Sequence, residues 1–141
     1  MKLHHLINVN AVLSLLFGIA FTLYGPLMMA FFGIPEIPEG NVLLYWHVVA
    51  FARMFGVALL GVGLILWSLR KIAGSNTISP EIQRGITYAL ILANGMGIVV
   101  ALTQQAQIWS SPAGWATVAV FTLLFVGYVY LLVVESRTAR I

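Results

Sequence analysis

At 141 residues, 61% hydrophobic and only 8% charged, this chain is too apolar for a water-soluble domain. Soluble folds carry about a quarter charged residues, and one this small buries only about two-thirds of its surface. The formal charge of +3 does not mark a nucleic-acid patch, because no Lys/Arg run is long enough, and the absence of cysteine excludes disulfide exchange, thiolate nucleophiles and Cys-ligated metal.

The first apolar stretch runs from Leu6 to Gly33. It is much longer than the roughly 7–15 residues of a signal-peptide core, so it reads as a retained span over about 6–31. Gly25-Pro26 is expected to kink it, since proline removes a backbone donor. The segment from Gly33 to Gly40 holds Pro35 and Pro38 as well as both glycines and predicts a loop. Asn41 is the expected N-cap of span 2, about 42–69, which Arg70-Lys71 closes.

After the loop Gly74-Ser75-Asn76-Thr77, Ser79-Pro80-Glu81 reads as N-cap, first-turn proline and first-turn acid. Span 3 is expected at about 85–105. The stretch 85–134 carries no formal charge, and as one helix it would run about 75 Å, far beyond a hydrocarbon core of about 30 Å. The break is placed at 110–114, with Ser111 as N-cap and Pro112 behind it, and span 4 at about 115–134. The whole chain, 1–141, is therefore predicted to be a single all-α transmembrane domain, a four-helix bundle.

Lys2, Arg70, Lys71, Arg84, Arg137 and Arg140 all fall on one side of such a bundle, while the opposite loops hold Glu36 and Glu39. The positive-inside rule puts both termini in the cytoplasm, N-in/C-in. Trp46, Trp109 and Trp115 at outer span ends and Trp67 near an inner end match an aromatic belt. Tyr88, Tyr128 and Tyr130 are read as anchors of the inner interface.

Small residues let helices approach closely in lipid. Span 3 carries Ala89, Ala93, Gly97 and Ala101 at i,i+4 spacing. Span 1 offers Gly18 among Ala11, Ser14, Thr22 and Gly25, and span 2 offers Ala52, Gly56 and Gly63. Spans 1, 2 and 3 are expected to pack tightly and span 4, with little beyond Gly127, to face lipid. The alternative is that one of these stripes docks a partner subunit or a second copy.

Few polar groups lie within the spans. Arg53 stands alone in span 2, where a charge is costly and a functional candidate. It lies 17 positions from Arg70, about 25 Å, near the outer boundary, where it could snorkel, pair with Glu36 or Glu39, or bind a ligand. Gln104 and Gln105 end span 3 close by. Asn94 shares the angular position of Gln105, and an interhelical hydrogen bond is its expected role. His47 sits near the outer interface, and a lone histidine there makes neither a metal site nor a haem site. No metal and no cofactor are expected. There is no aspartate and no acidic residue within a span core, which argues against proton-coupled exporters. No phosphate loop, nucleophile elbow or carboxylate pair is visible.

The stretch Ala52-Arg53-Met54-Phe55-Gly56-Val57-Ala58-Leu59-Leu60-Gly61-Val62-Gly63 resembles the second helix of small four-span bacterial membrane proteins of the DoxX-like kind. Tyr24-Gly25-Pro26 and the Gly33-Ile34-Pro35 turn are similar in style. The chain departs from DoxX proper, whose arginine-bearing motif belongs in the first helix. The resemblance implies an inner-membrane accessory protein, sometimes associated with redox systems, and transfers no catalytic residue. The leading functional expectation is a non-enzymatic accessory or structural subunit of a membrane complex. The alternative is a binder or carrier of a lipophilic molecule, a quinone or lipid, near the outer leaflet at Arg53, Asn94 and Gln105, and an enzyme acting on such a molecule is a third reading. Expected partners are membrane lipid and other membrane subunits or copies of the chain, with no nucleic acid.

Overall fold

A chain in hydrocarbon has no solvent for its backbone polar groups, and an isolated segment can satisfy them only as a helix. In the computed structural model, which describes residues 3–34, 42–73, 79–109 and 111–138 (135–138 by backbone alone), every regular element is an α-helix. They are α1 (Leu3–Leu23), α2 (Gly25–Phe31), α3 (Val42–Ala73), α4 (Pro80–Gln107) and α5 (Pro112–Thr138). Four of them are long and apolar enough to cross a membrane. The fold is an all-α helical bundle of four spans. Asn41, Glu36, Glu39, the loop 74–78, Ser110, Lys2 and Arg140 lie outside the described residues.

The helix ends follow local chemistry. The predicted kink is a break: Tyr24 leaves the helical region at φ −117°, ψ 38°, and α2 restarts with Pro26 in its first turn. Tyr24 N–H still donates to the Ala20 carbonyl at 2.8 Å, and Met28 N–H to that of Tyr24 at 2.9 Å, so the chain bends with its flanking bonds intact. At the end of α2, Gly33 adopts φ 77°. Its N–H donates to Ala30 and that of Ile34 to Met29, the paired C-terminal bonds that a left-handed glycine allows. Ser79 caps α4 by accepting from Ile82 N–H. The Ser111 hydroxyl accepts from Ala113 N–H at 3.2 Å and donates to the Phe31 carbonyl at 2.6 Å. One side chain thus caps the start of α5 and the end of α2.

Helix α1 packs along α3, α4 packs along α5, and α1 also meets α5. The close packing of spans 1 and 2 is as expected, whereas span 3 packs on span 4 and not with that pair, so span 4 is not left to face lipid. The α1–α3 contact is backbone on backbone: a Cβ at Gly18 would lie 2.8 Å from the Leu60 nitrogen, and one at Gly63 would lie 3.0 Å from the Leu15 nitrogen. The α4–α5 contact is ring on backbone. A Cβ at Gly97 would meet the Phe121 ring at 2.6 Å, and one at Gly95 the Phe125 ring at 3.3 Å. Large phenylalanines on span 4 fill the hollows left by glycines on span 3, so α5 needs few small residues of its own.

The main core lies toward the termini. It joins Leu3, Leu6, Ile7 and Ala11 of α1 to Leu66 and Ala73 of α3 and to Leu124, Tyr128 and Leu131 of α5, with Ile86, Leu90 and Ile91 of α4 against it. A second cluster of Met28, Phe32 and Ala113, flanked by Phe21 and Trp109, closes the distal end.

Candidate functional site

Most hydroxyls on the spans are settled locally; the exception among the described residues is Thr22, whose Oγ1 is buried at the α1–α3 seam without a hydrogen-bond partner. Ser68, Thr87, Thr103, Thr117 and Thr122 each donate to the carbonyl four residues earlier, which leaves the surrounding hydrocarbon nothing polar to solvate. Chemistry must therefore be sought in the remaining groups, which apart from Asn94 in the middle of α4 fall toward the two ends of the bundle.

At the distal end, Gln105 is half-buried against the start of α5. Its Nε2 donates to the Ser111 carbonyl at 3.4 Å. Its Oε1 is buried with no hydrogen-bond partner among the described residues and occupies the place where a Cβ of Gly114 would stand. Trp109 packs on Phe32 with ring centroids 4.7 Å apart. Gln104, also half-buried, contributes its carbonyl to Ile108 and Trp109 N–H at 2.8 Å each. His47 is exposed, and its Nδ1 lies 2.7 Å from the Leu43 carbonyl, which fixes the proton on that nitrogen.

Asn94 is buried at 3% exposure, and its Nδ2 donates to the Leu90 carbonyl of its own helix at 2.7 Å, not across helices as expected. Ala101 is buried below it and Gly97 is half-buried under Phe121. Arg53 is exposed on α3, its stem against Gly25 of α2. The structure thus places Arg53 at an α2–α3 contact and Gln105 at an α4–α5 contact. The space beside Gly56 is filled by Thr22 of α1, and that beside Gly97 by Phe121. Glu36 and Glu39 lie outside the described residues.

Two features near the termini had no counterpart in the expectations. Tyr128, read as an interface anchor, is fully buried. Its hydroxyl accepts from Asn10 Nδ2 at 3.4 Å, and the Ser14 hydroxyl reaches Asn10 Oδ1 at 3.5 Å, which ties α1 to α5. Arg70 donates to Asn8 Oδ1 at 2.8 Å and lies 3.5 Å over the Trp67 ring, which ties α3 to α1. Both are structural latches with their groups paired. The signal for the first was an asparagine and a serine spaced i,i+4 on one face of α1.

The chain matches no family model, no curated protein and no solved structure. Function has to be argued from the surface that the bundle leaves open.

That surface is most distinctive on α4. The buried line of this helix is Thr87, Asn94 and Ala101, seven residues apart. Gly85 and Ala89 lie on the opposite side and Ala93 on the flank between, and all three are exposed. A Cβ at Gly85 would meet nothing within 4 Å. Ala93, expected among the bundle contacts with Gly97 and Ala101, instead ends this exposed row. Four-residue spacing drifts 40° per step on a helix, so a row that starts outward at Gly85 reaches the interior only at Ala101.

Proposed function

We propose that the chain is a non-enzymatic structural subunit of a membrane assembly, docked through the outward face of α4. The observation that carries this is the exposed Gly85–Ala89–Ala93 row. In lipid there is no hydrophobic force between helices, so small residues matter where another backbone comes close. The row supplies such a surface and the bundle does not use it. The basic residues gathered at the terminal end support placement with both termini in the cytoplasm. The likeness of Ala52–Gly63 to DoxX-like proteins supports a bacterial inner membrane and an accessory role.

An apolar groove of about 550 Å³ between α1 and α2, lined by Leu16, Phe17, Ala20, Leu27, Met28, Ala30 and Phe31, favours a second reading as a binder of a lipophilic molecule. Its lining offers an acyl chain contact and offers a quinone head nothing to orient it.

The test is native purification in mild detergent of the wild type and of an Ala89→Leu, Ala93→Leu double variant, with proteins and lipids identified. Both positions are exposed, so thermal stability is expected to stay within about 0.5 kcal/mol of wild type. The wild type is expected to run as an assembly, with a second copy or another subunit, and the double variant as a monomer. A wild type that purifies alone, carrying only lipid, would favour the groove and sink the subunit reading.

A further inference from the structure

The two arginines of α3 are held differently. Arg70 donates to Asn8 and stacks over Trp67. Arg53 is exposed and makes no hydrogen bond or ion pair among the described residues. Its stem nevertheless lies against α2. A Cβ at Gly25 would lie 3.2 Å from Arg53 Cγ, 3.4 Å from Nε and 3.3 Å from Val49 Cγ1. The α1–α2 break therefore presents a glycine notch that leaves room for the aliphatic chain of this exposed residue.

Exposed aromatic residues flank this position. Tyr24 immediately precedes the notch, and Trp46 lies seven residues before Arg53 on the same face of α3, at 58% and 52% exposure. Tyrosine and tryptophan favour the headgroup level of a bilayer. Helix α3, with 32 residues, is about 48 Å long against a hydrocarbon core of about 30 Å. A site eleven residues from its distal end thus lies about 7 Å inside the boundary if the helix is centred, within reach of a long side chain that snorkels. A guanidinium there can reach headgroup level, and its planar fork matches the two free oxygens of a phosphodiester.

We propose that Arg53, set against Gly25 and flanked by Tyr24 and Trp46, binds the phosphate of an anionic lipid headgroup in the leaflet at the distal end of the bundle. The site is separate from the α4 face and from the apolar groove, so it stands whatever covers either of them.

The test uses delipidated protein in detergent, titrated with phosphatidylglycerol, phosphatidylcholine or inorganic phosphate and read by native mass spectrometry. The wild type is expected to retain phosphatidylglycerol at least about fivefold better than phosphatidylcholine and not to retain inorganic phosphate. Arg53→Gln is expected to abolish that preference without loss of thermal stability, since the guanidinium bonds no other described residue. Arg53→Lys is expected to keep the preference in part, and Gly25→Leu to reduce it by displacing the stem. Lys71→Gln, at the other end of α3, is expected to leave it unchanged. Undiminished preference in Arg53→Gln overturns the proposal. So does equal retention of inorganic phosphate, which would make this a free-anion site. Binding that emerges only after Glu36→Gln with Glu39→Gln also overturns it, because the loop carboxylates would then be the native partners of Arg53.

Discussion

Gly56→Ala is expected to destabilise the bundle by about 1–3 kcal/mol, a large effect for one methyl group. The added Cβ would lie 2.6 Å from the Thr22 backbone nitrogen and 2.9 Å from the Gly18 carbonyl oxygen. Neither atom belongs to a side chain that can rotate away, so α1 and α3 must separate along their shared seam. The same seam holds Gly18 and Gly63, and parting it loosens contacts at all three. Gly61→Ala on the same helix is the control, because a Cβ there meets nothing within 4 Å. It should be neutral or slightly stabilising, since alanine is the better helix former. Thermal unfolding in detergent measures both, and equal effects would contradict the seam as described.

Tyr128→Ala is expected to cost about 3 kcal/mol, most of it the cavity left behind, because lipid is about as apolar as the core and transfer contributes little. Tyr128 is fully buried in the cluster that joins α1, α3 and α5. Tyr128→Phe keeps the ring and loses only the bond from Asn10, so it should cost about 0.6 kcal/mol. Tyr130, 55% exposed on the same helix, gives the contrast: Tyr130→Ala should change stability little. If Tyr128 were an interface anchor, the two alanine variants would behave alike. The same detergent unfolding assay distinguishes these outcomes.

The four spans and their punctuation were legible because each has a local cause. Charge-free runs set the helices, Ser79-Pro80 and Ser111-Pro112 set two starts, and Gly25-Pro26 set the break in the first apolar stretch. The pairing of helices was legible only in part. In a soluble bundle an apolar stripe marks the buried face, whereas here both faces of every span are apolar and the stripe carries no contrast. Small residues marked the α1–α3 seam, but on α4 they occur at exposed positions, Gly85 and Ala93, as well as on the packed face at Gly97 and Ala101. Which set is used depends on Phe121 and Phe125 across the gap, and nothing local announces that a phenylalanine on one span will fill a glycine hollow on another. The same holds for the candidate site. Arg53 was conspicuous as a charge in a span, but its notch at Gly25 is a contact between segments far apart in sequence. Arg53 and Gln105 were expected near one another, and each is held by a different helix pair, α2–α3 for Arg53 and α4–α5 for Gln105.

The most direct test of a covered α4 face is cross-linking in native membranes, which the cysteine-free sequence permits without background thiols. Single cysteines at Ala89, Ala93 and, as control, Leu123, which is 74% exposed on α5, would each carry a thiol-linked photoreactive probe. Discrete protein adducts from Ala89→Cys and Ala93→Cys, with only lipid adducts from Leu123→Cys, are the predicted result. Lipid adducts alone at both α4 positions would contradict a protein partner on that face.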